Sequence, residues 1–77
     1  MKVEIYGAAW CNYCQQAKQL CESQSIEYDY IDVDESGNMK ALQERMGAPA
    51  RSIPQIFVDN AFLPGGFTGL KQELAKT

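Results

Sequence analysis

Lys2-Val3-Glu4-Ile5-Tyr6-Gly7 followed by Trp10-Cys11-Asn12-Tyr13-Cys14 is the stretch on which the fold turns. Polar and apolar residues alternate from Lys2 to Tyr6 and stop at Gly7, the period of a half-buried strand. Directly after it come two thiols in a C-x-x-C spacing, which can close a small disulfide across the first turn of a helix. From Asn12 to Gln24, Cys14, Ala17, Leu20 and Cys21 recur at helical intervals, while Gln15, Gln16, Lys18, Gln19, Glu22 and Ser23 take the other face. The pattern predicts an amphipathic helix with the cysteine pair at its N-terminus. Ile26 to Val33 alternates again and predicts a second strand, ended by the Asp34-Glu35-Ser36-Gly37 turn. A strand-helix-strand unit of this kind joins parallel strands by a right-handed crossover, which brings the helix N-terminus to the carboxyl edge of the sheet.

Outward from that unit, a second helix is expected from Met39 to Met46, with Leu42 and Met46 on one face and Gly47 as its stop. Gln55-Ile56-Phe57-Val58, the pair Asp59-Asn60, and Ala61-Phe62-Leu63 read as a hairpin with Pro54 before its first strand. After Gly65-Gly66, the segment Phe67 to Ala75 closes the chain with a helix carrying Leu70 and Leu74 inward. The order is β-α-β-α-β-β-α, an α/β arrangement with a four-stranded mixed sheet flanked by helices, expected as a single domain over 1–77. The acidic group Asp29, Asp32, Asp34 and Glu35 reads as a solvated strand end.

Composition narrows the chemistry. At 77 residues and 45% hydrophobic content the chain has one modest core, and a domain of this size buries only about 60% of its unfolded surface, so any site is shallow and local. Seven basic against ten acidic residues give a net charge of -3, the wrong sign for a nucleic-acid partner. No segment reads as a membrane span or signal peptide, and a cytoplasmic protein is expected. The absence of histidine removes the commonest general base and most zinc chemistries. A C-x-x-C pair is often half of a zinc site, but only Cys21 remains to complete one, so no metal is expected. Three cysteines do not make a secreted disulfide framework and fit a reducing compartment better.

Cys11 stands where unpaired helical N–H groups and the positive end of the helix dipole favour a thiolate, which makes it the expected nucleophile. Cys14, one turn in, would attack a mixed disulfide formed at Cys11 and leave an intramolecular disulfide, passing two electrons per cycle. Lys18 is read as an ordinary exposed helix lysine, with added positive potential at the thiols as the alternative. Cys21 lies on the apolar face and is expected in the core, the alternative being an accessory thiol. Trp10 either offers apolar area to a protein partner or packs over the helix start.

Together, Cys11-Asn12-Tyr13-Cys14, Arg51-Ser52-Ile53-Pro54 and Gly65-Gly66 resemble the glutaredoxin family of the thioredoxin-like superfamily, in the right order and over essentially the whole chain. The resemblance implies a dithiol, glutathione-dependent thiol-disulfide oxidoreductase that reduces protein disulfides or glutathione mixed disulfides. It implies a cis bond before Pro54, with the Ile53 backbone turned to a substrate's extended peptide, and a γ-glutamyl carboxylate received by Gly65-Gly66 and the last helix. Tyr13, Arg51, Ile53, Pro54, Gly66, Phe67 and Thr68 would line the glutathione groove, with Gln43 a weaker member. Implied partners are glutathione as reductant and disulfide-bearing clients, ribonucleotide reductase among the candidates, with the protein working as a monomer.

This sequence also departs from the family pattern. Asn12 replaces the proline between the cysteines, Ala8 stands where many members carry a lysine, and Thr68 stands where an aspartate commonly holds the γ-glutamyl group. Ala8 and Thr68, with Trp10, leave open a hydrogen donor reduced by thioredoxin reductase. A dimer bridging a 2Fe–2S cluster through Cys11 and glutathione is a further alternative.

Overall fold

The computed structural model describes residues 1–76. Its elements follow in the order β1 (Lys2–Gly7), α1 (Asn12–Ser23), β2 (Glu27–Asp32), α2 (Asn38–Met46), β3 (Gln55–Val58), β4 (Ala61–Leu63) and α3 (Gly66–Ala75). The four strands form one sheet in the order β2-β1-β3-β4. β1 pairs parallel with β2, Ile5 facing Tyr30 and Gly7 facing Asp32, and antiparallel with β3, Ile5 facing Ile56. β4 extends the sheet by an antiparallel pairing with β3, Phe57 opposite Phe62. This is the α/β order expected from the alternation of patterns and the thioredoxin-like fold that the resemblance implied, with element limits moved by at most one residue.

Period-two alternation sends neighbouring β1 and β3 side chains to opposite faces of the sheet. One face gathers Val3, Ile5 and Ile56 with Ala17 and Cys21 of α1 and Leu70 and Leu74 of α3 into an apolar core. Cys21 is fully buried there, and burial pushes its thiol above the ordinary range, as suits a core residue. The opposite face gathers Tyr6, Ala8, Val33 and Phe57 around Leu42 of α2. α2 buries only Leu42 fully, and Arg45 adds a polar clamp. Its guanidinium makes a bidentate contact with Glu4 (2.8 and 2.9 Å), donates to Tyr6 Oη at 3.0 Å, and lies 3.8 Å from the Phe57 ring centroid. Hydrogen bonding to that guanidinium holds the Glu4 carboxyl below its usual range.

The hairpin between β3 and β4 turns on Asp59 and Asn60, both at positive φ (50° and 70°), the conformation that a tight two-residue connection requires. The loops that converge at the carboxyl end of β1 differ from the expected picture at the acidic group. Asp34 remains exposed but accepts a hydrogen bond from Trp10 Nε1 at 2.8 Å, and Asp32 Oδ1 accepts from the Asp34 N–H at 2.8 Å. Asp29 pairs with Lys2 at 3.3 Å. The group is therefore only partly a solvated strand end: two of its carboxylates fix loop geometry, because a short acidic side chain readily captures nearby N–H donors.

Candidate functional site

Gly7 ends β1, and the chain then crosses Ala8 to Trp10 before α1 begins. Cys11 is the N-cap of that helix, with extended backbone (φ -93°, ψ 114°), and its Sγ accepts from the Cys14 N–H at 3.4 Å. A sulfur thus occupies the position usually filled by a serine or aspartate oxygen, facing the open N–H groups of the first turn. Cys11 is half-buried; its thiol also points to the Ile53 carbonyl at 3.8 Å. Cys14 lies fully buried behind it. All three cysteines carry free thiols. Burial, with Cys11 as the next cause, pushes the Cys14 thiol up to about 12.

Gly7 is required by this packing. A Cβ at that position would fall 2.7 Å from Cys14 Sγ, 2.8 Å from Cys14 Cβ and 2.8 Å from Tyr30 Oη. Only a residue without a side chain lets β1 pass so near the first turn of α1. Tyr30 Oη donates to the Ala8 carbonyl at 2.9 Å and accepts from Gln15 Nε2 at 3.1 Å. Lys18 differs from the sequence reading: it is half-buried, with Nζ 5.4 Å from the Tyr30 ring centroid, because one helical turn beyond Cys14 places it over that ring.

Beside the thiols runs an open groove of about 270 Å³, lined by Tyr13, Ser52, Ile53, Pro54, Gln55, Gly65, Gly66, Phe67 and Thr68. The Ile53-Pro54 bond is cis, as the resemblance implied. Tyr13 is 61% exposed, and its ring faces Phe67 across 6.0 Å at 32°, so two aromatic rings form one wall. On the far side, α3 starts from Gly65 in the left-handed region (φ 95°) with no side-chain cap. Its first N–H groups are consequently offered to the groove, an arrangement suited to a carboxylate. Gly66 is also at positive φ (56°), and a Cβ there would meet the Pro54 carbonyl oxygen at 3.1 Å.

Six of the seven expected groove residues, Tyr13, Ile53, Pro54, Gly66, Phe67 and Thr68, come together on its walls. Arg51 is exposed and not among the lining residues, and neither is Gln43 of α2. Ser52 and Gln55 line the groove without having been singled out, although they flank the Ile53-Pro54 pair and the motif itself pointed to them. Trp10 does not pack over the helix start: it is 71% exposed, held through its indole N–H by Asp34. Ala8 is fully buried, and its carbonyl receives Tyr30 and Gln15.

Among the described residues no helix is long and apolar enough to cross a membrane. The Glutaredoxin family model matches residues 3–63. Glutaredoxin 1 of Escherichia coli strain K12 is 40% identical over 74 residues, covering 88% of this chain and 86% of that protein. The structure of reduced Escherichia coli glutaredoxin superposes with a TM-score of 0.81 at 32% identity, covering 100% of this chain and 96% of that one. A buckwheat glutaredoxin-glutathione complex shares the fold with a TM-score of 0.76 at 20% identity, covering 96% of this chain and 68% of that one. A cysteine pair at the head of the first helix, set in this sheet and matched by these relatives, makes the chain a member of the glutaredoxin family, the thiol-disulfide oxidoreductases.

Proposed function

We propose that this protein is a dithiol oxidoreductase that draws its electrons from glutathione, with Cys11 as the attacking thiol and Cys14 as the resolving one. The observation that carries the reading is the unequal setting of the two sulfurs. Cys11 Sγ caps α1 and lies 3.8 Å from the carbonyl of Ile53 in the groove wall, while Cys14 is buried behind it and its proton is held tightly. An accessible sulfur facing helical N–H groups is suited to attack, and a buried protonated one is suited to wait.

In the forward half-reaction the Cys11 thiolate attacks one sulfur of a client disulfide. A bond forms between them, and the electron pair leaves on the client's second sulfur, which takes a proton. Cys14 sulfur then attacks the Cys11 sulfur, closing the Cys11–Cys14 disulfide and expelling the client's remaining thiol. One glutathione thiolate next opens that disulfide at Cys11, returning Cys14 to a thiol. A second glutathione releases glutathione disulfide and restores Cys11. Two glutathiones are oxidised for each client disulfide reduced.

The groove supports glutathione as the tripeptide in this scheme. Its cysteinyl part would lie along Ile53-Pro54, its γ-glutamyl carboxylate at the uncapped N-terminus of α3 beside Gly66, Phe67 and Thr68, and Tyr13 would close the aromatic wall. Arg51, exposed and next in sequence to Ser52 of the lining, would contribute from outside the lining residues. Glutathione is the ligand of the buckwheat glutaredoxin that shares this fold. The test is reduction of a small glutathione mixed disulfide coupled to NADPH consumption, with glutathione and glutathione reductase in one assay and thioredoxin reductase in a second. Turnover in the first, lost in Cys11→Ser, is expected. Turnover only in the second would replace glutathione by thioredoxin reductase as the electron source.

A further inference from the structure

Tyr30 and Cys14 meet at the foot of the site, where the resolving sulfur also faces Cys11 and the Ala8 backbone. A Cβ on Gly7 would lie 2.7 Å from Cys14 Sγ and 2.8 Å from Tyr30 Oη, so the sulfur and the hydroxyl flank a single point and are closer to each other than twice that distance. The hydroxyl has one hydrogen, a rotatable C–O bond and two acceptor positions. At rest that hydrogen goes to the Ala8 carbonyl at 2.9 Å, while Gln15 Nε2 donates to the hydroxyl oxygen at 3.1 Å. Gln15 Nε2 also reaches the Ala8 carbonyl at 3.2 Å. Two consequences follow from this triangle. The phenol oxygen stays anchored when its hydrogen turns, and the Ala8 carbonyl keeps a donor after that hydrogen leaves, so turning orphans no buried group.

We propose that Tyr30 is a positioning residue for the resolving step: its O–H swings from the Ala8 carbonyl to Cys14 Sγ as that sulfur gives up its proton, holding the thiolate toward Cys11. This rests on the dithiol reading above. In the step, the Cys14 sulfur forms a bond to the Cys11 sulfur, the bond from Cys11 to the partner's sulfur breaks, and the electron pair departs on that partner sulfur. The proton given up by Cys14 balances the thiol that the partner becomes. Tyr30 donates a hydrogen bond throughout and keeps its own proton. Its phenol is itself pushed up to about 12, chiefly by burial, which suits a donor and not a base. The ionisable groups facing this pair are Cys11 and Lys18 from α1 and Asp32 from the same strand as Tyr30.

Reduced protein mixed rapidly with dithiobis(nitrobenzoate) tests the assignment. Capture of Cys11 releases a first nitrothiobenzoate, and attack by Cys14 releases a second. In Tyr30→Phe the first release should keep its rate and pH profile. The second should slow roughly tenfold, the worth of one hydrogen bond to an anion, with its rise displaced to higher pH. In Cys14→Ser only the first release remains, and adding Tyr30→Phe changes nothing. A second release in Tyr30→Phe with the parent's rate and pH profile overturns the proposal, and so does equal slowing of both releases, which marks a merely structural tyrosine. Absence of the second release from the unsubstituted protein would overturn the dithiol reading itself.

Discussion

The two ends of the site are built on opposite terms. At the thiol end, Gly7, Ala8, Cys14 and Tyr30 are packed so closely that one added carbon would collide with Cys14 Sγ, Cys14 Cβ and Tyr30 Oη at once. At the groove end, the walls are a cis peptide, two glycines at positive φ, an uncapped helix start and two exposed or half-exposed aromatic rings. The first end depends on the side chains that surround two sulfurs. The second depends chiefly on backbone direction, so its shape does not hang on the side chain at Thr68. With glutathione in the groove as proposed, reactivity and recognition would be separated in this way.

Cys11→Ser is the most severe way to break the thiol end. Serine can still cap α1, so the fold should survive, but turnover should fall to background in the coupled assay. Residual turnover above background would show that Cys14 can act first. Gly7→Ala comes next. Overpacking at a site with no give should cost about 1–3 kcal/mol in urea unfolding, and slow the resolving step as Cys14 is pushed aside. Unchanged stability would mean that β1 and α1 can separate freely.

Much of this difference could be read from the chain alone, but unevenly. The alternation of Lys2 to Tyr6 and the helical spacing of Cys14, Ala17 and Cys21 led to β1 and α1, because both elements bury one regular face. The groove was legible through motifs that mark backbone geometry, Ile53-Pro54 and Gly65-Gly66. Contacts between side chains far apart in sequence were not legible. Nothing local in Tyr30 says that its hydroxyl reaches the Ala8 carbonyl and the neighbourhood of Cys14, since a strand tyrosine fits alternation whatever its tip touches. The Trp10–Asp34 hydrogen bond and the clamp of Arg45 on Glu4 were hidden for the same reason: they join elements 24 and 41 residues apart. Lys18 looked like a surface lysine because the period of a helix does not reveal which neighbour lies above it.

At the groove end smaller effects are expected. Gly66→Ala forces a side chain into the left-handed region beside the Pro54 carbonyl, which should cost about 1–2 kcal/mol of stability. It should also raise the KM for glutathione while leaving capture of dithiobis(nitrobenzoate) by Cys11 intact. Loss of both together would mean that the two ends are not separable. Thr68→Asp should act in the other direction and more weakly. A carboxylate beside the γ-glutamyl ammonium should lower the KM for glutathione about two- to fivefold, the worth of one exposed ion pair. No change would place that ammonium away from Thr68.

The central claim, glutathione held in this groove and joined to Cys11, is tested most directly on the Cys14→Ser variant locked as its Cys11 glutathione mixed disulfide. Amide chemical shifts would be compared with those of the reduced variant. The account predicts large shifts at Tyr13, Ile53, Gly66, Phe67 and Thr68, with α2 left unchanged. Shifts confined to Cys11 and its immediate neighbours, with the start of α3 silent, would contradict it.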